Sequence, residues 1–570
     1  MIRYSYIFIL LLLVSCTKLE KTPQGIISSE QLNTAENIDK LCIAAYSSLG
    51  NDWAFSAYSS LWAIGSIRSG EAYKGGEGPG DQDFYHAYEV FNLNRVDNWS
   101  IDGIWYRFYI GIKRANLAIG RLNEIEASVM PQKDTRLAEM RFLRGHFYFM
   151  LKILFKHVPY IDETVLPQDY SLVSNRGLSN DELWKTIESE FSYAANNLPD
   201  TQKEVGRANK WAAKAYLART VLYHAYTQTD DKNNVTGIDA EKLKQVVSLC
   251  DEIINSGKYN LNSDFAHNFL TEFENSSESI FAIQFSKDDG TPDGRIAFGD
   301  GLNYPMNAEY GCCGFHVPSQ NMVNSFKTSP TGLPMFSGFN NTNVLEGKDF
   351  QTNSFDPRLD HTVAIIGHPY KYKPNFIFQR SWVRSPGIYG PYMSLKEVVA
   401  PDDPSFKKYT PFMTSSKNTD ILRYDDILLY KAEALIELKR ENEAIPLINE
   451  IRKRAINSTG MLKQADGSPT SNYKMDVYKP GINCTWTNEF AREALRWERK
   501  LEFSMEGWRF FDMVRWGIAE ETLNAYFETE KTRRQYLNTA HFTKNRDEYW
   551  PIPLNQINYS SGLYVQNPGW

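Results

Sequence analysis

The chain has 570 residues, of which 42% are hydrophobic and 23% charged, a balance typical of a large folded protein rather than a disordered one. Its formal net charge of −7 argues against a protein that tracks nucleic-acid phosphates, and its mean hydropathy of −0.46 argues against a polytopic membrane protein. Aromatic residues are abundant, with 13 Trp, 33 Tyr and 32 Phe, so their placement becomes the main question about function.

A short apolar run opens the chain. Arg3 precedes the apolar residues 7–14, and the run ends in the letters L-V-S-C at Cys16. A positive residue, an apolar stretch and a small residue before a break are typical of a secretory signal peptide, and the stretch is shorter than the roughly 20 residues of a membrane-spanning helix. The ending resembles a bacterial lipobox, which implies cleavage before Cys16 and its acylation. We therefore predict a signal peptide over 1–15 and a lipidated tether over 16–25.

The remaining cysteines give no metal or disulfide framework. They number five and include no C-x-x-C spacing: Cys42, Cys250, Cys312, Cys313 and Cys484. The adjacent pair Cys312-Cys313 allows a vicinal disulfide, but we expect two separate thiols. No metal site and no cofactor are predicted.

Helical periodicity dominates the first half of the chain. Apolar residues recur at three- and four-residue spacing over 101–122, 134–155, 181–198, 209–226 and 240–256. Ser179 and Asn180, followed by Glu182, predict a capped helix start. Between residues 260 and 419 the pattern changes to Gly/Pro-rich loops and short strands, with a strand predicted over 279–285.

Helices resume near residue 420 with a hairpin over 422–455. Residues 439–442 form its predicted turn, and 444–455 its return helix. Two helices of this size with alanines at contact positions resemble a tetratricopeptide unit, although a generic helical hairpin remains an alternative.

A series of motifs carries a more specific resemblance. They read I-N-E-I-R-K-R-A at 448–455, E-R-K-L-E-F at 498–503, E-G-W-R-F-F-D-M-V-R-W-G at 506–517, W-P-I-P at 550–553 and N-P-G at 567–569. Together they resemble the SusD/RagB family of Bacteroidetes outer-membrane lipoproteins. Further matches, such as W-x-x-x-Y-x-x-I-x-x-A-N starting at Trp105, extend the resemblance across the mature chain.

The resemblance implies a mainly α fold, with a tetratricopeptide-like scaffold and an irregular loop and short-strand region that forms the ligand surface. We expect an N-terminal helical region over 26–259 and a C-terminal region over 260–570, both parts of one compact body. The charged side chains of the most specific motif alternate in sign at three- to four-residue spacing, which favours ion pairs over catalysis. They are Arg499, Glu502, Glu506, Arg509, Asp512 and Arg515.

The implied function is non-enzymatic. A lipoprotein of this family would bind oligo- or polysaccharide at the outer-membrane surface of a Gram-negative, Bacteroidetes-type bacterium and deliver it to a SusC-like TonB-dependent transporter. Two alternatives stay open: a peptide- or protein-binding lipoprotein of the RagB kind, and a secreted glycosidase, because 69 acidic residues allow many carboxylate pairs. No nucleic-acid partner is predicted.

Candidate glycan contacts are aromatic and polar residues in the loops over 68–99 and 294–392. Aromatic faces pack against the C–H groups of sugars, and side chains such as Asp and Lys bind the hydroxyls. The candidates are Tyr73, Lys74, Asp81, Tyr85, Trp99, Tyr304, Tyr310, Trp382 and Tyr389. Rings within helices, such as Tyr109, Phe149 and Trp516, are expected to pack the scaffold instead.

Overall fold

The computed structural model describes residues 32–570 apart from residues 51, 56, 292 and 293. The predicted signal peptide, Cys16 and the tether lie outside the described residues. Within this part of the chain, no helix combines the length and apolar character needed to cross a membrane.

The N-terminal half is a run of helices. Their bounds are α1 Ala35–Tyr46, α2 Asp83–Val90, α3 Trp99–Glu124, α4 Lys133–Phe155, α5 Asn180–Asn197, α6 Lys210–Ala225 and α7 Ala240–Asn255. Local chemistry sets several of these starts. Ser179 and Glu182 form the predicted capping box at the start of α5, and the Asn209 side chain accepts from two backbone N–H groups at the start of α6.

The strands are short, lie mostly between residues 279 and 423, and form two-stranded antiparallel pairs. The pairs are β1 Ala72–Gly75 with β5 Phe315–Pro318, β2 Tyr226–Gln228 with β3 Val235–Ile238, β4 Ser279–Ile283 with β12 Thr419–Arg423, β6 Val363–Ala364 with β9 Met393–Ser394, β7 Pro369–Tyr370 with β8 Lys373–Ile377, and β10 Phe406–Tyr409 with β11 Phe412–Ser415. Short helices lie between the strands of this part of the chain: α8 Gln320–Ser325, α9 Asp349–Thr352, α10 Arg358–Thr362 and α11 Pro386–Tyr389.

Helices close the chain. They are α12 Tyr424–Glu437, α13 Glu441–Asn457, α14 Asn488–Glu502, α15 Trp508–Arg515, α16 Ala519–Glu530 and α17 Leu554–Tyr559. The predicted hairpin over 422–455 corresponds to α12 and α13, and the turn between them lies at residues 438–440, one to two residues before the predicted 439–442.

The scaffold is a stack in which each helix packs on the next. Helix α3 packs on α4, α4 on α5, α5 on α6 and α6 on α7. The chain then leaves the stack for residues 256–423 and returns as α12, which packs on both α7 and α13. The fold is therefore mainly α and tetratricopeptide-like, as predicted, and the irregular region is an insertion within the stack.

Glu502, one of the predicted ion-pair residues, lies in a buried network that ties the insertion to the scaffold. Arg358 of α10 pairs with Glu498 and Glu502 of α14 at 2.7 Å each. Glu502 also accepts from Arg454 of α13, and all four of these side chains are buried. The Asp512 carboxylate pairs with Arg499 at 2.8 Å and with Arg515 at 3.0 Å, so these three of the alternating charges form ion pairs as predicted.

The cysteine prediction was wrong at one position. Cys312 and Cys313 form a vicinal disulfide rather than two separate thiols. Cys42, Cys250 and Cys484 carry free thiols, in agreement with the lack of a wider disulfide framework.

Candidate functional site

Most of the sequence-predicted glycan contacts lie in the interior. The exposed fraction of the side chain is 8% for Trp382 and 1% or less for Tyr73, Lys74, Tyr85, Tyr304, Tyr310 and Tyr389. A side chain with no exposed face cannot stack on a sugar, so we withdraw these seven residues as direct contacts. Asp81 is half-buried, and Trp99 is 54% exposed.

The buried residues of the first loop hold that loop in place. The Tyr73 hydroxyl donates to Glu530 and accepts from the backbone N–H of Gln320. The Lys74 ammonium donates to the backbone carbonyls of Gly78 and Asp81. These bonds satisfy polar groups that would otherwise be costly to bury, and they fix the turn at 76–81.

The buried rings of the second loop region form a core of their own. Tyr304 lies 5.3 Å from Tyr310, and Trp382 lies 4.7 Å from Phe376, between ring centroids. Strand pairs of two to five residues bury little surface, so the insertion depends on such rings, each of which removes about 150–250 Å² from water. This packing accounts for the error: loop position in the sequence does not imply surface position when the loops form their own core.

Asp81 is engaged in the same turn. Its carboxylate accepts from the backbone N–H of Glu77 at 3.0 Å and pairs with Arg384 at 3.0 Å. Arg384 also donates to the carbonyl of Cys313 at 3.1 Å, which ties the vicinal disulfide segment to the turn. Asp81 keeps enough exposure to meet a ligand hydroxyl and remains a proposed contact.

Trp99 is the exposed ring among the sequence-predicted residues. It starts α3, whose N-cap Asn98 accepts from the backbone N–H of Ser100. Its ring packs edge-on against Phe84 at 4.8 Å, which leaves its outer face to solvent. The Ser100 hydroxyl donates to the carbonyl of Phe55 at 3.1 Å, so the start of α3 lies beside the segment 53–55.

That neighbouring segment contributes an aromatic surface that sequence reasoning missed. Trp53 is 38% exposed, and its ring lies 6.1 Å from Phe55, 5.8 Å from Phe298 and 6.4 Å from Phe412. Phe55, Phe298 and Phe412 are each partly exposed. We call Trp53, Phe55, Phe298 and Phe412 the aromatic platform.

The platform is assembled from three distant parts of the chain. Phe298 comes from a short 3₁₀ turn, and Phe412 starts β11 of a hairpin. Tyr409 of the same hairpin supports Phe298 from 4.9 Å. The sequence signal at this position is weak: W-x-F at 53–55 lies in a segment without helical or strand periodicity, which places the rings in a loop but does not decide whether they are exposed.

Polar groups lie on the segments that carry the platform. Arg295 is exposed three residues before Phe298. Beneath the platform, Asp52 accepts from the backbone N–H groups of Tyr58 and Ser59 and from the Ser59 hydroxyl. Burial raises the pKa of Asp52 to about 6, although these hydrogen bonds lower it.

A cavity of about 80 Å³, lined by both apolar and charged side chains, lies behind the platform, between the insertion and the scaffold. Asp300, two residues after Phe298, lines it together with Glu397 and Lys417. Burial raises the pKa of Asp300 to about 8, and the nearby Glu397 carboxylate contributes to the increase. Asp300 is therefore largely protonated at neutral pH.

Within the described residues, one cluster of carboxylates has the spacing of a metal site, formed by Glu278, Asp425 and Glu502. Arginines already occupy it: Arg454 donates to Glu278 at 2.9 Å and to Glu502, and Arg423 donates to Asp425 at 2.9 Å. The cluster is an ion-pair network of the scaffold, and we assign it no metal.

Two family models match this chain. The model of the SusD family matches residues 277–570, more than half of the chain. A second model, described as starch-binding associating with outer membrane, matches residues 79–222, which include Trp99.

Individual relatives align over almost the full length. SusD-like protein P2 of Formosa agariphila is 24% identical over 100% of this chain and 99% of its own. A SusD-like protein of Bacteroides fragilis has a TM-score of 0.69 at 19% identity, covering 95% of this chain and 98% of its own. Surface glycan-binding protein A of Bacteroides thetaiotaomicron, solved with laminarihexaose, has a TM-score of 0.67 at 21% identity, covering 94% and 99%. These two structures share the fold.

Proposed function

Because this chain belongs to the SusD family, we propose that it is a surface glycan-binding protein that captures oligo- or polysaccharide and passes it to a SusC-like TonB-dependent transporter. The observation that carries the proposal is the aromatic platform beside Trp99. Exposed rings from separate loops, with the exposed Arg295 on the segment that carries Phe298, have the chemistry that sugar rings and their hydroxyls require. A relative in this fold solved with laminarihexaose supports the same ligand class.

The proposal includes anchoring at the outer membrane through acylated Cys16. More than one acyl chain is needed for stable anchoring, and a lipobox cysteine provides for several. An anchored protein holds its glycan close to a transporter, so high local concentration compensates for moderate affinity. Replacement of Cys16 by Ala should move the protein from the outer-membrane fraction to a soluble one, and a protein that stays membrane-bound would contradict the anchor.

A glycan-panel binding assay tests the ligand class. The acyl-free protein that begins after Cys16 is screened against laminarin, starch, xylan and galactomannan, with a peptide library as the test of the RagB-type alternative. We expect binding to at least one polysaccharide and no shortening of it. Binding to peptides without any glycan would contradict the proposal, and shortened products would indicate the glycosidase.

Substitutions then locate the site. Trp53→Ala and Trp99→Ala should each weaken glycan binding about 3- to 10-fold, because an aromatic contact contributes about 0.5–1.5 kcal/mol beyond the area it buries. Tyr193→Ala is the matched control, since this ring on α5 is partly exposed and packs on Arg141 outside the platform. Unchanged affinity in both tryptophan variants would refute this location.

A further inference from the structure

A second group of aromatic rings lies further along α3. Tyr106 and Tyr109 of α3, Tyr170, and Tyr559 and Tyr564 near the C-terminus line a groove of about 420 Å³. Tyr106 is 62% exposed and Tyr559 is 54% exposed. We call this feature the Tyr106 groove. Its volume lies within the range of about 300–1,000 Å³ that ligand sites occupy.

The walls of the groove are fixed by hydrogen bonds. The Asp102 carboxylate of α3 accepts from Asn555 at 2.8 Å and from Gln556 at 2.7 Å, which holds α17 against α3. The Tyr109 hydroxyl donates to the carbonyl of Pro159 at 2.7 Å. A groove held in this way loses little freedom when a ligand binds, which favours affinity.

The groove continues the surface that starts at Trp99. Trp99, Tyr106 and Lys113 are seven residues apart and all exposed, so they follow one face of α3. At 1.5 Å per residue, Trp99 and Tyr106 are separated by about 10 Å along the helix axis. The Ser100 hydroxyl donates to the Phe55 carbonyl, so the start of α3 also adjoins the platform segment 53–55.

The lining has the chemistry of a sugar site rather than a lipid site. The phenol hydroxyls of Tyr106 and Tyr559 and the Lys113 ammonium line the same groove as the ring faces. A lipid chain would leave these groups without partners at a cost, whereas sugar hydroxyls supply donors and acceptors for each.

We propose that the Tyr106 groove is a second subsite for the glycan bound at Trp99, so that the protein selects linear chains long enough to reach both. This inference rests on the proposed function. A glycan chain that is already bound at the first subsite contacts the second subsite intramolecularly, so it gains affinity from both aromatic surfaces. A short oligosaccharide reaches only one subsite and lacks this gain.

A chain-length series tests the inference, with the polysaccharide that binds best in the panel and with its own trisaccharide as probes. The variant Tyr106→Ala with Tyr559→Ala should weaken polysaccharide binding about 10-fold and leave trisaccharide binding unchanged, because about 1.4 kcal/mol corresponds to a factor of ten. Trp99→Ala should weaken both. Tyr193→Ala should change neither, and circular dichroism melts confirm that each variant is folded.

The outcomes separate this inference from the proposed function. Equal loss of trisaccharide and polysaccharide binding in the double variant, or no loss of either, would overturn the second subsite while the glycan assignment stands. Loss of a membrane partner in pull-downs with polysaccharide affinity intact would also overturn it, and would identify the groove as a protein-docking face. A wild-type protein that binds no glycan would overturn both.

Discussion

At the scale of single residues, burial controls charge. Asp300 lies at the cavity behind the aromatic platform, where removal from water disfavours its ionised form. Its folded-state pKa of about 8 stands well above the unfolded value near 3.8. At a pH between these two values, Asp300 is ionised in the unfolded state and protonated in the folded state. The contribution of Asp300 to the free energy of unfolding therefore falls as the pH rises through this range.

Replacement of Asp300 by Asn should remove this decrease of stability with rising pH, because the amide does not ionise. The variant's free energy of unfolding, relative to wild type, should rise by about 3–6 kcal/mol between pH 4 and pH 8, since each pKa unit corresponds to about 1.4 kcal/mol. Urea unfolding across this range measures the difference. Asp97→Asn is the control, because Asp97 is exposed and its pKa is lowered by Arg95. A difference that does not vary with pH would contradict the assignment.

Candidate contacts are also the residues for which sequence reasoning succeeded least. Trp99 was predicted as a contact, and its side chain is exposed. It is the first residue of α3, and the buried face of that helix is formed by residues that follow it. Trp53 and Phe412 were missed, since the platform depends on loops that meet only in the folded protein. Seven predicted contacts turned inward for the same reason: only tertiary packing decides which loop-borne rings remain at the surface.

At the scale of elements, two glycines allow a close contact between backbones. Gly65 belongs to a π-helical turn over Trp62–Ser66, and a Cβ there would lie 1.9 Å from the carbonyl oxygen of Gly507. Gly507 precedes α15 with φ +84°, and a Cβ there would lie 2.6 Å from Leu61. The E-G pair in the most specific motif is therefore a packing requirement between segments more than 400 residues apart.

The substitution Gly507→Ala should lower the free energy of unfolding by about 2–4 kcal/mol, from strained backbone and overpacking together. Gly120→Ala is the matched control: Gly120 lies in α3 with no atom within 4 Å of an added Cβ, and alanine should stabilise it by about 0.5–1 kcal/mol. Denaturant titrations compare the two. Equal effects would contradict the role of the close contact.

The helices themselves were predictable. The five N-terminal predictions agree with α3 to α7 within two residues at each end, because a long apolar stripe at helical spacing leaves little choice of structure. Apart from β4, the strands were not predictable, because segments of two to five residues are too short to show a clear alternation of apolar and polar residues. The disulfide between Cys312 and Cys313 could not be predicted from the number and spacing of the cysteines, because two adjacent cysteines can be either bonded or reduced.

At the scale of the whole molecule, buried ion pairs connect regions that the chain order separates. Arg358 belongs to the insertion and is fully buried between Asp356, Glu498 and Glu502. Arg454 joins Glu502 to Glu278, at the start of β4. The motif resemblance that indicated the family is carried largely by these scaffold residues, and the family model confirms it.

Removal of Arg358 should therefore be costly. Arg358→Ala should lower the free energy of unfolding by about 3–5 kcal/mol, because it leaves buried carboxylates without their partner. Arg440→Ala, which breaks an exposed pair with Glu443, should cause no measurable change. Thermal or urea unfolding of both variants gives the comparison, and a stable Arg358→Ala protein would show that the network is dispensable.

The position of the insertion within the helix stack has a consequence for the order of folding. Helices α3 to α7 follow one another closely in sequence and can associate through local contacts, but the outer face of α7 packs on α12, which begins only at Tyr424. Contacts between distant segments form late because a long loop must close first. The N-terminal helices therefore keep one apolar face uncovered until almost three quarters of the chain has been synthesised, and they are most exposed to aggregation during this interval.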